Sequence, residues 1–163
     1  MVHATATEIS ERLRTGKLDP VTLAEEVYER LEQHGDSAIY IETTRSRAMV
    51  EAHASRLRLQ AGLPASPLDG VPVAWKDLFD LKGRVTTAGA VVTRTDPPAT
   101  ADAQVVATAH RAGMVTTGTV NMTEFAYSGI GLNPHYGTPR NIHASTGQTR
   151  SPGGSSSASG VVV

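Results

Sequence analysis

The order of patterns between residues 62 and 120 constrains this chain most. Gly62 opens a stretch of loop chemistry, GLPASPLDG, and the apolar run VPVAWKD follows it with a lysine at the exit. That reads as a buried strand ending in a charge. Residues 84–92, RVTTAGAVV, read as a second β-like piece. DPPAT then breaks the pattern and leaves Thr100 placed to cap a helix over 101–112, with Val105, Val106 and Ala109 on one face and Gly113 at its end. Valine and threonine dominate 114–120, which predicts a strand. A strand, a helix and a strand at this spacing predict a parallel crossover, and hence an α/β domain.

The residues before this unit are helical in pattern. Thr5 and Glu8 stand at capping-box spacing ahead of a helix over 5–15, with Ile9 and Leu13 on one face and Gly16 after it. A second helix has Asp19 as cap, Pro20 at its first position and an apolar stripe of Ala24, Val27, Tyr28 and Leu31. The short apolar piece AIYIE follows Gly35. A third helix spans 45–60, and its many charges read as a solvated face. The expected organisation is an N-terminal helical region over 1–61 and an α/β core over 62–163. After Asn121 the pattern loosens. NMTEFAYSGIG reads as a short helix running into a glycine-containing loop, and 132–154 is too rich in Pro, Gly, Asn and Ser for regular structure. A loop that long in a compact domain points to function or disorder.

Composition narrows the partners. Among 163 residues the hydrophobic share is 39% and the charged share 19%, as in ordinary globular proteins, and the formal charge of -1 gives no electrostatic case for nucleic acid or an anionic membrane. A small molecule or a protein is the expected partner. Cysteine is absent, so no disulfide framework or thiolate metal site can form. Neither a secretory signal nor a membrane-spanning run is visible, which leads to the expectation of a cytoplasmic protein. No phosphate-cradling or dinucleotide-binding glycine motif occurs. The six histidines lack helical metal spacing, and His135 and His143 read as solvated loop residues. No metal or cofactor is implied.

Two features bear on chemistry. Lys76, at the end of the apolar run, either snorkels to the surface or is buried, in which case its lowered pKa lets it stay neutral and accept a proton. The final stretch, GQTRSPGGSSSASGVVV, is either a flexible Gly/Ser tail or an active-site loop. A serine needs a base to react, and Ser-Lys pairings are one known solution.

Taken together, LDGVPVAWKD, TTAGA, RAGMVTTGTVNMTEFA and SPGGSSSASG resemble, in the same order over 68–163, the amidase signature family, which hydrolyses carboxylic amides. The resemblance implies an α/β fold with a mixed, largely parallel sheet flanked by helices, incomplete in this chain. It also implies a Ser, cis-Ser, Lys triad. Lys76 would be its base and Ser155 its cis-serine relay, with Ser156 and Ser157 holding the loop and Tyr127 and Ser128 lining the acyl pocket. The run Ser157, Ala158, Gly160 departs from the family's usual glycine pattern. The family's nucleophile lies in a later glycine-rich motif, so the expectation is an N-terminal portion that is inactive alone. A small-molecule amide substrate is implied, and both a homo-oligomer and the partner subunits of a tRNA-dependent amidotransferase are compatible with it. The alternatives are the glutaminase subunit of such an amidotransferase and a non-catalytic amidase-like protein.

Overall fold

The computed structural model describes residues 4–145 and 147–162. The chain forms two compact units. One contains the residues up to Gly35, Thr44–Val73 and Ala107–Thr117, and the other Asp36–Thr43, Ala74–Val106 and the residues from Gly118 on.

In the first unit, helix α1 (Ala6–Arg14) starts from a reciprocal capping box: the Thr5 hydroxyl accepts from Glu8 N, and the Glu8 carboxylate accepts from Thr5 N. Helix α2 (Pro20–His34) starts from Asp19, whose carboxylate accepts from Val21 N and Thr22 N, and it ends at Gly35 in the left-handed conformation. Helix α3 (Arg45–Gln60) packs Ala48 and Ala52 against Val21, Ala24 and Tyr28 of α2 and against Val115. A second cluster joins Leu13, Leu23 and Val71 to Ile9, Leu18, Leu59 and Met114.

The charges of α3 are not all solvated, which departs from the sequence expectation. Glu51 is buried and accepts from Arg47 Nε and from Thr116 N, each at 2.7 Å. Arg58 forks onto buried Asp69 with two bonds of 2.7 Å. Buried charges persist where they are paired and hydrogen-bonded, and both acids meet that condition.

The sheet has three strands in the order β1 (Tyr40–Thr43), β3 (Val115–Val120), β2 (Pro72–Lys76). Strand β1 runs antiparallel to β3, with Tyr40 opposite Val120 and Thr43 opposite Gly118. Val115 N donates to Val71 O and Asp77 N to Val120 O, so β2 and β3 advance together and lie parallel. Helix α4 (Gln104–Arg111) makes the crossover between them. Strand β3 is buried at every position, as a central strand covered on both faces must be. In the second unit Ile39, Val120, Ala158 and Val161 form the core, with Val161 on the short helix α5 (Ser159–Val162).

Two expectations from sequence are corrected. Residues 84–92 form no strand, because the Asp77 carboxylate gathers the Thr87 hydroxyl and the amides of Thr87 and Gly89, which curls the segment around it. The fourth helix begins at Gln104 rather than 101. Asp102 accepts from Lys82 N and Ala103 N donates to Asp80 O, so both residues serve the 80–82 turn instead of a helix start. Among the described residues no helix is long and apolar enough to cross a membrane.

Candidate active site

Strand β2 delivers Lys76 to a turn. The chain reverses at once, with Leu78 N and Phe79 N both donating to Lys76 O, while Trp75 meets the Phe79 ring edge-on. Lys76 is thus the last side chain the strand presents. Its Nζ donates to Ser155 Oγ at 2.6 Å. Burial disfavours the ammonium and pushes the Lys76 pKa down from the ordinary lysine value. An amine so placed can exchange a proton with the hydroxyl it touches. A neutral Nζ has a lone pair that can take up a proton from such a hydroxyl, and a charged Nζ can give one back.

Ser155 is held through its backbone. Its carbonyl accepts from Thr123 N at 2.9 Å, and the Gly154–Ser155 peptide is cis. Upstream, Gly154 N donates to Gly129 O at 2.8 Å. The Ser151 hydroxyl donates to Ile130 O and accepts from Gly153 N. Downstream, Ser157 Oγ and Ala158 N both donate to Asn121 O, whereas Ser156 is exposed. The loop bearing Ser155 is therefore fastened to 129–131 on one side and to the exit of β3 on the other.

Glycine is required where these backbones touch. A Cβ on Gly131 would sit 2.0 Å from Gly153 O, and one on Gly154 would sit 2.7 Å from Gly131 Cα and 2.9 Å from the buried Thr123 hydroxyl. Gly131 also has φ +86°, a backbone that side-chain-bearing residues rarely adopt.

Of the four candidate residues, Lys76 and Ser155 are in direct contact. Ser128 lies in the loop against Gly154, where its Oγ accepts from Ile130 N at 3.1 Å. Tyr127 follows a short 3-10 helix (Glu124–Ala126) and is 93% exposed. Phe125 and Ala126 hold φ of 50° and 58° there, with Phe125 N donating to Ala88 O.

Sequence reasoning missed the residues that hold the site together. Asp77 anchors the segment after Lys76. Asn121 uses its side-chain amide on Ala38 O and Gly137 O, and Ser151 clamps Ile130. Asp77 was visible as the residue beside the lysine. Asn121 and Ser151 carried no signal, since Asn121 follows a strand as any loop-opening residue does and Ser151 stands beside Pro152 in a stretch that reads as loop.

The fold and these motifs match those of one known family. The Amidase family's model matches residues 22–163, and the chain belongs to that family, the amidase signature enzymes. It is 41% identical over 96% of its length to AtzE, a component of the 1-carboxybiuret hydrolase of Pseudomonas sp. (strain ADP), and 36% identical over its whole length to a glutamyl-tRNA(Gln) amidotransferase subunit of Azoarcus sp. (strain BH72). It covers 34% and 33% of those proteins, so the chain spans about a third of the length of the curated relatives it matches. Among solved structures, it matches one described as a vestigial protein complex that reveals the origins of an s-triazine catabolic enzyme. The TM-score is 0.91 and the identity 38%, over 98% of this chain and 35% of the other.

Proposed function

We propose that these residues supply the base and the relay of an amidase that cleaves the C–N bond of a small, non-peptide carboxylic amide through a Ser, cis-Ser, Lys triad. The observation that carries this reading is the 2.6 Å contact between a lysine whose charge is disfavoured by burial and the hydroxyl of Ser155. The acylated serine comes from outside residues 1–163. Its hydroxyl oxygen attacks the amide carbonyl and its proton passes to Ser155 Oγ, while the Ser155 proton passes to Lys76 Nζ. Backbone amides stabilise the oxyanion. The tetrahedral adduct then collapses with rupture of the C–N bond, and the leaving nitrogen takes up the proton that Lys76 returns through Ser155. Water cleaves the acyl ester by the same relay. Tyr127 and Ser128 line the acyl pocket, a role that the exposure of Tyr127 leaves open to a ligand. No cofactor takes part, and the expected compartment is the cytoplasm.

Lys76→Ala and Ser155→Ala in the intact protein test the reading. Each should lower amide turnover by about 10²- to 10⁴-fold, the usual span for a positioned proton-transfer group. Near-normal turnover in either overturns it. The 36% identity to a component of an amidotransferase favours a second reading, in which the amide is glutamine and the protein works with partner subunits. Strict preference for glutamine and copurification of a partner distinguish that case from a free-standing amidase. A protein that binds without catalysis is the outcome if the intact protein turns over no amide.

A further inference from the structure

Asn133 lies in the stretch without regular structure, yet it is only 3% exposed and every polar atom of its side chain is used. Nδ2 donates to Gly89 O at 2.9 Å and to Met122 O at 2.7 Å, and Oδ1 accepts from His135 N at 2.8 Å and from Tyr136 N at 3.0 Å. Its own backbone N donates to Thr138 Oγ1 at 3.0 Å. These partners fix the orientation of the amide, because turning it over would set an oxygen against two carbonyls and a nitrogen against two N–H groups. A local turn would need only the Oδ1 bonds. The two Nδ2 bonds reach instead beyond the turn, to Gly89, 44 residues away, and to Met122, 11 residues away, and each leads to one member of the proposed proton relay.

Gly89 closes the curl around Asp77, the residue that follows Lys76, since Gly89 N and Thr87 N both donate to the Asp77 carboxylate. Met122 precedes Thr123, whose N–H holds the carbonyl of Ser155. The Asn133 amide is thus a crossbar between the segment that flanks Lys76 and the segment that holds Ser155. Space around it is tight, as a Cβ on Gly89 would lie 2.9 Å from both Asn133 Nδ2 and Met122 O.

We infer that Asn133 is a positioning residue that sets the separation of Lys76 Nζ and Ser155 Oγ by tying the Gly89 carbonyl to the Met122 carbonyl. The inference rests on the amidase reading above. Proton relay through two groups is sensitive to distance, and a displacement of about 1 Å is enough to cost about 10²-fold in rate. Asn133 has neither Lys76 nor Ser155 among its hydrogen-bond partners and acts on them through the backbone, and a role in setting their separation is read in kcat rather than in KM.

The test compares Asn133→Ala, Asn133→Asp and Gly89→Ala in the intact protein. Asn133→Asp keeps the shape and the two bonds to Oδ1 but removes both donors, and Gly89→Ala pushes on Nδ2 without deleting it. Arg56→Ala, which breaks an ion pair with Asp19 away from these residues, serves as a control for stability alone. The expected result is a fall in kcat of about 10²-fold with little change in KM, and a displacement of the acid limb of the pH–kcat profile, while Arg56→Ala lowers the melting temperature and keeps kcat. A merely structural asparagine would lower the melting temperature and leave kcat and the pH profile of the folded protein unchanged. That result in Asn133→Asp and Gly89→Ala overturns the inference, whatever Asn133→Ala does. If Lys76→Ala also retains full turnover, the amidase reading falls. If Lys76→Ala is inactive while the Asn133 and Gly89 variants are normal, only the role of Asn133 falls.

Discussion

Lys76 couples function and stability at a single atom. Burial lowers its pKa, so between the lowered value and the ordinary lysine value the unfolded chain binds more protons than the folded one, and stability rises with pH across that window. Below the window the cost of the buried charge is fully present. Catalysis in the proposed relay follows the same titration, since only neutral Nζ accepts the Ser155 proton. The rate should therefore rise with pH along a limb that lies below the ordinary lysine range. Lys76→Met, which keeps the apolar stem and removes the charge, should abolish hydrolysis and flatten the pH dependence of stability in that window, while melting at neutral pH no lower than wild type. Urea unfolding at several pH values checks this, and a variant that keeps the wild-type slope contradicts it. Asp19 has the same slope, stability rising with pH, but in a lower window and from a favourable charged form rather than a costly one. Its carboxylate sits at about 2, held down first by the hydrogen bond from Arg56 and further by the amides of Val21 and Thr22. Its contribution is present above the ordinary aspartate value and is lost as the pH falls through about 2. Arg56→Ala should move that loss to higher pH, read by acid unfolding.

Elements whose boundaries depend on neighbours in sequence were legible, and those that depend on distant partners were not. Thr5, Asp19, Pro20 and Gly35 mark the ends of α1 and α2 because a cap is a contact over two to four residues. Helix α3 likewise follows from local pattern, and strands β2 and β3 from an apolar run and from valine and threonine content. Residues 84–92 look like a strand in composition, but the Asp77 carboxylate takes their amides, and nothing in a window of ten residues reveals that contest. The start of α4 fails for the same reason, since Asp102 is claimed by Lys82 N. Lys76 and Ser155 could be singled out because they stand in recognisable motifs, whereas Asn133 and Ser151 act through carbonyls that only the folded chain brings near. Two predictions belong to this scale. Asp19→Ala should cost about 1 kcal/mol or more, as loss of a helix cap does, measured by urea unfolding against Thr5→Ala, whose exposed capping box should cost less. Gly131→Ala should cost about 1–3 kcal/mol or more, as forced overpacking does, because its Cβ would overlap the backbone of Gly153 rather than a flexible side chain. A Gly131→Ala protein as stable and active as wild type would show that the 129–131 and 153–154 backbones are not locked together.

Among the described residues, buried apolar side chains gather in modest clusters, and large apolar side chains remain exposed on both units. Val50, Leu57 and Leu63 in one unit, and Val92, Tyr127 and Ile130 in the other, are each more than half exposed. Parallel strands are stable when both faces are covered, and among the described residues the sheet has β1 and β2 at its edges. A polypeptide limited to residues 1–163 should therefore bind a hydrophobic dye and melt broadly, and a sharp cooperative transition in a monomeric sample would contradict this. In the proposed mechanism the same polypeptide holds the relay without the nucleophile. It carries Lys76 and Ser155 in contact, and in the proposed mechanism Ser155 passes protons without itself becoming acylated. A fluorophosphonate probe should leave this polypeptide unlabelled, label the intact protein on one serine, and label the intact Ser155→Ala variant more slowly than wild type. Stoichiometric labelling of Ser155 in the 163-residue polypeptide would make it a nucleophile activated by Lys76 directly, and the three-residue relay would give way to a Ser-Lys pair.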